Sequence, residues 1–348
     1  MQRESCSRTI RPILLSALAL IALGSTALPA ASQDTPLISG AVAFLSNTNR
    51  GPTSFDPTIM PVAVVPVTRH FVFETRDSFL ESVNPRKGNQ SDQTRLARNV
   101  TYLQLDYLAA SHLTVVAGKF LTPFGTYIER LSPVWIGNFQ DGPLSLPIGS
   151  IGSAGTGGEV RGSLFSSARV NVDYAGFYSA NVGGKQFTSS RATGGRIEAY
   201  FPSTRVEIGV SYDRMFEGEH PNATGAHFWW EPGPLTIRSE YAHGTHGQGY
   251  WIETGYRLSR FNGPDSLIGR LEPLFRMQQT FRNSPDATDG LPFADTQRAD
   301  FGLDYFLPHE VRINTSYSRL FSSTGNGNIW KTSLVYRFLF PAWPGKQR

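Results

Sequence analysis

The segment WKTSLVYRF, residues 330–338, alternates without a break. Its even positions are Trp330, Thr332, Leu334, Tyr336 and Phe338; its odd positions are Lys331, Ser333, Val335 and Arg337. Period two is the mark of a β-strand with two unlike faces. Here one face is largely aromatic and the other carries two positive charges. In a soluble protein the aromatic face would turn to a core, so the fold hangs on whether the chain has one.

The same alternation recurs from about residue 98 onward. Leu103, Leu105 and Tyr107 oppose Gln104 and Asp106; Val206, Ile208, Val210 and Tyr212 oppose Arg205, Glu207 and Asp213; Phe301, Leu303 and Tyr305 oppose Arg298, Asp300 and Asp304. Nearly every strand sets an Arg, Asp or Glu in its middle against an apolar face. Tight links at 110–111, 166–167, 202–203, 232–234 and 308–309 alternate with longer loops at about 81–97, 122–156, 180–193, 217–225, 283–296 and 322–328. That rhythm predicts an up-and-down meander with short turns at one end and long loops at the other. The link at 259–269 is longer than the rhythm allows.

The N-terminus bears on compartment. Arg3, Arg8 and Arg11 precede the uncharged run ILLSALALIALG, and ALPAAS follows with small residues. This pattern predicts an export signal over residues 1–32, with cleavage near Ala31 or Ser32. The apolar run is shorter than the ~20 residues a membrane helix needs. The single cysteine, Cys6, would leave with the signal, so the mature chain is expected to hold no disulfide. The signal also takes away three Arg and one Glu, leaving about +2 of the formal +4 charge, too little for a nucleic-acid binder.

A disulfide-free, exported chain with this many hairpin-ordered strands fits one closed sheet better than a soluble sandwich. Apolar faces would meet lipid and charged faces would meet water in the lumen, and closure removes exposed edges. The predicted fold is all-β, a transmembrane antiparallel up-and-down β-barrel over residues 33–348. Counting back from the C-terminus gives fourteen strands, and short candidates at 36–46 and 59–66 bring the count to about sixteen, wide enough for an aqueous channel.

In GKFLTPFGTYIERLSPVWIG, residues 118–137, Gly118, Lys119 and Phe120 are followed by Pro123, Phe124 and Gly125. This stretch, with the C-terminal LDYFLPHEVRINTSYSR and WKTSLVYRF, resembles the outer-membrane porins of the phosphate-selective porin O and P type, especially their uncharacterised relatives. The resemblance implies a sixteen-stranded porin in the cell outer membrane, a homotrimer, passing small hydrophilic solutes. The phosphate site of that family depends on a dense basic ladder with a lysine cluster, whereas here arginines interleave with acids and lysines are few.

The lumen is expected to be lined by Arg161, Arg169, Arg196, Arg205, Arg238, Arg257, Arg276, Arg298, Arg312, Lys331 and Arg337, facing Glu159, Asp173, Glu198, Glu207, Glu240, Glu253, Glu272, Asp300 and Asp304. Segregated charges would create a transverse field; paired charges would brace the wall. The slight excess of bases favours a mild preference for anions. Loop 122–156, the longest, is expected to fold inward and narrow the lumen with Glu129, Arg130 and Asp141, the alternative being an outer cap. His243 and His246 have a spacing that could hold a metal, but solvated loop histidines are the simpler reading, and His220 and His227 suggest no partner. With no nucleophile elbow, phosphate loop or dinucleotide fingerprint, neither enzyme activity nor a cofactor is expected. A barrel enzyme of protease or phospholipase type and a loop-based adhesin remain the other function classes.

Overall fold

The computed structural model describes residues 36–49, 53–85, 92–148, 153–284 and 289–341. The expected leader, residues 1–32, lies outside the described residues. Sixteen strands follow in order: β1 (Leu37–Asn49), β2 (Thr53–Pro66), β3 (Phe71–Asn84), β4 (Gln93–Ala110), β5 (Leu113–Leu121), β6 (Ala154–Ser166), β7 (Asn171–Ser179), β8 (Ala192–Phe201), β9 (Val206–Met215), β10 (Asn222–Trp230), β11 (Leu235–Gly244), β12 (Gly247–Tyr256), β13 (Leu271–Arg282), β14 (Thr296–Leu307), β15 (Val311–Ser322) and β16 (Gly327–Pro341). Each pairs antiparallel with its sequence neighbours, and β1 pairs with β16 from Leu37↔Pro341 to Asn49↔Ile329, closing the barrel.

The opening segment shows how the barrel sorts its side chains. Trp330, Leu334 and Tyr336 stand exposed on the outer face, while Lys331, Ser333 and Val335 are buried on the inner one. The aromatic face has no core to enter. The same sorting leaves Phe44, Val210, Ile252 and Phe301 outside and Arg276, Asp300 and Asp304 inside. Strand propensity and alternation thus agree, since β-branched and aromatic residues fill the outer pleat.

At one end the strands are joined by residues 67–70, 111–112, 167–170, 202–205, 231–234 and 308–310. The long link 259–269 belongs to this end. It carries a single helical turn, α1 (Ser259–Asn262), and Leu258 N and Leu271 N are tied across it by backbone bonds to Leu271 O and Ile268 O.

Two loop expectations are corrected. Of the described residues in 81–97, 81–84 and 93–97 are strand: β3 runs to Asn84 and β4 starts at Gln93, a ribbon with Glu81↔Leu96 and Asn84↔Gln93 in register. The pairing continues where both faces are polar, so the sequence there loses the apolar alternation that marks a strand. The stretch holding His243 and His246 is no loop either. His243 lies exposed on β11, and only residues 245 and 246 join β11 to β12.

Candidate functional site

Between β5 and β6 the chain enters the lumen, and glycine starts the entry. Gly125 has φ +62°, and a Cβ there would sit 2.7 Å from Oε1 of Glu240 on the inner face of β11. Only glycine lets the backbone come that close. Its N–H donates to Ser211 Oγ at 3.0 Å. A π-helical turn, Tyr127–Leu131, follows. Glu240 receives its free donors: the backbone N–H of Thr126, the Thr126 hydroxyl at 2.7 Å and the Tyr127 N–H at 2.8 Å. Its other oxygen accepts from Trp251 Nε1 at 3.2 Å. A carboxylate suits a helix start, where N–H groups lack partners inside the helix.

The segment then binds both sides of the barrel. Arg130 reaches Glu198 and Glu207, each at 2.6 Å, and Glu129 pairs with Arg196. Arg76 on β3 donates to Ser132 at 3.2 Å. Val134 and Trp135 pack on Ala41, Ala43 and Val335. Arg312 donates to the carbonyls of Val134 and Gly137 at 2.8 and 2.9 Å, and Asn314 donates to that of Asn138 at 2.8 Å. The Arg276 guanidinium lies 4.6 Å from the centre of the Phe139 ring and donates to Asp141 O at 2.9 Å. The Asp141 carboxylate pairs with Lys331, and with Arg298 at 3.1 Å. Leu144 N–H donates to Gln278 at 2.7 Å. The segment therefore lies across the lumen and not as a cap outside it.

Two groups of the segment titrate abnormally. Burial alone would raise Asp141, but Lys331, Arg298 and Arg276 outweigh it and hold the carboxyl below its ordinary 3.8. Burial pushes the Tyr127 hydroxyl up to about 12, with Arg276 working against the rise.

The expected lining residues fall into three groups. Arg161, Arg196, Arg238, Arg276, Arg298, Arg312 and Lys331 lie on inner faces, as do Glu159, Asp173, Glu198, Glu207, Glu240, Glu253, Glu272, Asp300 and Asp304. Most are paired: Arg276 with Asp300 at 2.9 Å, Arg298 with Asp300 at 2.6 Å, Arg312 with Asp304 at 3.2 Å, and Arg196 with Glu198 at 2.8 Å. Arg257 and Arg337 sit at the mouth. Arg257 follows the end of β12 and stacks on Phe306, 3.5 Å from the ring centre, with Glu272 3.7 Å away. Half-exposed Arg337 lies 4.0 Å from Glu310. Arg169 leaves the wall altogether, whereas Arg205 stays at the edge of the cavity that Arg130 and Glu207 border. Arg169 is in the hairpin turn closed by Ser167 N–H to Val170 O, and Arg205, at φ +53°, is in the β8–β9 turn. Alternation cannot see where a strand stops and a turn begins.

The six motif residues scatter. Gly118, at φ +130°, lies where a Cβ would meet Leu103 O at 2.4 Å; Lys119 donates to the carbonyls of Val100 and Gln186 at 2.6 and 2.7 Å. Phe120 packs edge-on against Phe177, and Phe124 joins Ala223 and Ala242 beside Gly125. Pro123 leads the chain between them.

Sequence reasoning missed several inner residues. Asp106, set on the polar face by alternation but not counted among the lining residues, takes Arg161 at 2.5 Å, and Trp251, buried inside, meets Tyr127 edge-on with ring centres 5.9 Å apart. His227 is also inside, its Nε2 3.6 Å from Glu198 and 3.5 Å from Glu207. Parity along β10, with Ala226 and Phe228 outside, was the available signal. Among the described residues, Glu198, Glu207 and His227 form the one group of three such side chains close enough to share a metal ion; His246 lies 3.2 Å from Ser284 Oγ.

Water-sized space remains beside the segment. A cavity of about 430 Å³ is bounded by Arg130, Glu207 and Trp229, and another of about 340 Å³ by Glu129, Arg161, Asp173 and Arg196. A third, of about 640 Å³, opens at the other end between Ile148, Ser189, Asp213 and His246.

No protein-family model and no curated sequence matches the chain. Solved structures do match. The loop L8 deletion variant of OmpT, an outer membrane protein of Vibrio cholerae, superposes with a TM-score of 0.55 at 11% identity, over 88% of this chain and 100% of that one. The anion-selective porin from Comamonas acidovorans gives 0.54 at 9%, over 88% and 99%. Salmonella typhi OmpF in complex with daunomycin gives 0.55 at 11%, over 88% and 97%. The chain has a porin-like fold. At such identities the likeness is one of architecture, and the residues of the lumen carry any statement about function.

Proposed function

We propose that the chain is an outer-membrane porin, a water-filled channel for passive diffusion of small hydrophilic solutes or ions with a mild preference for anions. In this reading it is exported by the leader at 1–32, stands in lipid as a homotrimer and catalyses nothing. The observation that carries it is the inversion of the barrel: an apolar outer belt around an inner wall of paired charges, crossed by a tethered segment with cavities beside it. A lipid-exposed β structure must close, and this one does.

The anion preference comes from which partner of each pair stays wet. In the pairs beside the two cavities at the short-turn end, Arg130 is 33% exposed against 9% and 16% for Glu198 and Glu207, and Arg161 is 38% exposed against 5% for Asp106. Glu129 and Asp141 run the other way, each wetter than its basic partner, which keeps the preference mild. The resemblance of residues 118–137 to the phosphate-selective porins O and P supports the channel and the trimer. The lumen supports no phosphate ladder, because its arginines already face carboxylates.

The test is the mature protein refolded in detergent and added to a planar bilayer under a KCl gradient. Discrete steps with a reversal potential of anion sign are expected. A barrel that inserts and never conducts would overturn the channel, and cation sign would overturn the preference.

A further inference from the structure

Six of the seven histidines sit in links between strands or, for His243, on the outer face. His227 alone is inside, its side chain 1% exposed and both ring nitrogens without a hydrogen-bond partner. A buried imidazole left unpartnered is costly, and such a site calls for a ligand.

The register explains how it comes to face two carboxylates. Glu198, Gly209 and His227 form a row across β8, β9 and β10, with Gly209 opposite both. A Cβ on Gly209 would lie 2.3 Å from His227 Cε1 and 2.9 Å from Glu198 Cβ. The glycine leaves a slot in which the imidazole lies across β9 toward Glu198. Glu207, two residues along the same face, closes the third side. The Nε2-to-oxygen distances of 3.6 and 3.5 Å are long for hydrogen bonds. They match donors sharing one ion: two ligands each ~2.0–2.1 Å from a zinc ion lie about 3.3–3.6 Å apart.

We infer that Glu198, Glu207 and His227 bind a borderline divalent ion of the Zn²⁺ kind, and that this ion competes with Arg130 for the two carboxylates. An imidazole with two carboxylates suits zinc better than calcium or magnesium, which take all-oxygen shells. Arg130 now bridges Glu198 and Glu207 through Oε1 of each, while Glu198 Oε2, its oxygen nearest His227, takes Arg196 Nε at 2.8 Å. The ion must displace Arg130 and share Oε2 with Arg196. Arg130 belongs to the crossing segment, not the wall. Its side chain is a third exposed, and the 430 Å³ cavity beside it is floored by Trp229, whose ring centre is already 5.8 Å from the guanidinium. With Arg130 turned out, Glu129, Glu198 and Glu207 keep Arg196 as their one arginine ion-pair partner, with Arg161 beside Glu129 and Arg205 at the cavity edge. The pair of carboxylates facing His227 is left short of positive charge that a divalent ion supplies. The same cavity admits the ion and supplies water for its open position. Binding thereby unfastens one tether of the segment. The binding step stands whether or not the barrel conducts; only its effect on current rests on the proposed channel.

The experiment is a calorimetric titration of the refolded full chain with ZnCl₂, on the wild type, His227→Ala, His227→Gln and Arg130→Gln. Circular dichroism and heat-modified gel mobility confirm that each barrel is closed. One equivalent is expected in the wild type, lost in both His227 variants and tightened ~10-fold or more in Arg130→Gln. Equal isotherms for wild type and the closed His227 variants would overturn the site, the ion being held adventitiously by surface histidines. Unchanged affinity in Arg130→Gln would overturn the competition. In the bilayer, zinc should raise the step size of the wild type and leave His227→Gln unchanged. Binding that depends on His227 in a barrel that never conducts would support the site and overturn the channel.

Discussion

The lumen has two unlike sides built from the same residue types. Along β13–β15 the charges are sealed: Arg276, Asp300 and Asp304 have no exposure, and Arg276, Arg312 and Asn314 also donate to carbonyls of residues 134–141. Along β6–β10 Arg161 and Arg130 border cavities. The difference lies in how the crossing segment meets the wall: it covers the sealed side without a gap, and on the other it leaves water-sized space beside its ion pairs. An arginine under the segment holds it in place, whereas an arginine beside a cavity meets whatever passes. Charge content alone would have assigned both sides the same task.

Removing Arg276 tests the sealed side most severely. Arg276→Met leaves Asp300 and Glu253 buried with a cation gone, and breaking such a pair costs about 3–5 kcal/mol. Urea unfolding in lipid should show a loss of that size; one below ~1 kcal/mol would mean the sealed side is wet after all. The matching change on the open side, Arg161→Gln, should cost less than Arg276→Met, because the Arg161 guanidinium is 38% exposed beside a cavity and water can take its place next to buried Asp106. Its effect should appear in the bilayer as a reversal potential moved toward cation sign. If Arg161→Gln destabilised as much as Arg276→Met, the contrast between the two sides would collapse.

How much of this was legible depends on what each feature needs. Inside and outside are a choice of two at each residue, so Lys331 and Ser333 against Trp330 and Leu334 could be sorted from sequence, and with them the closed sheet. β1 was harder, because its inner residues Ala41 and Ala43 meet Val134 and Trp135 instead of water. The length of 122–156 signalled a role, but its anchors are largely backbone carbonyls, such as those of Val134 and Gly137, which any residue supplies. His227 was readable as inward, yet its partners required knowing that Gly209 stands between it and Glu198. Arg169 failed for the opposite reason, since alternation runs on smoothly into a turn.

Asp141 offers the finest test of the comparison, because it belongs to the segment and binds the sealed side through Lys331 and Arg298. Its carboxyl is held below 3.8, so its tether is fully present above that pH and is lost as pH falls through the lower folded value. The stability difference between wild type and Asp141→Asn should therefore stay constant from neutral pH down to about 4, then shrink below 3.8. Other carboxylates titrate in both proteins and cancel in the difference. A difference that already faded between about pH 5 and 6 would place the Asp141 carboxyl above its ordinary range, as burial without cations would do. The bonds to Lys331 and Arg298 would then not be what fastens the segment, and the sealed side would owe its closure to Arg276 and Arg312 on the backbone carbonyls alone.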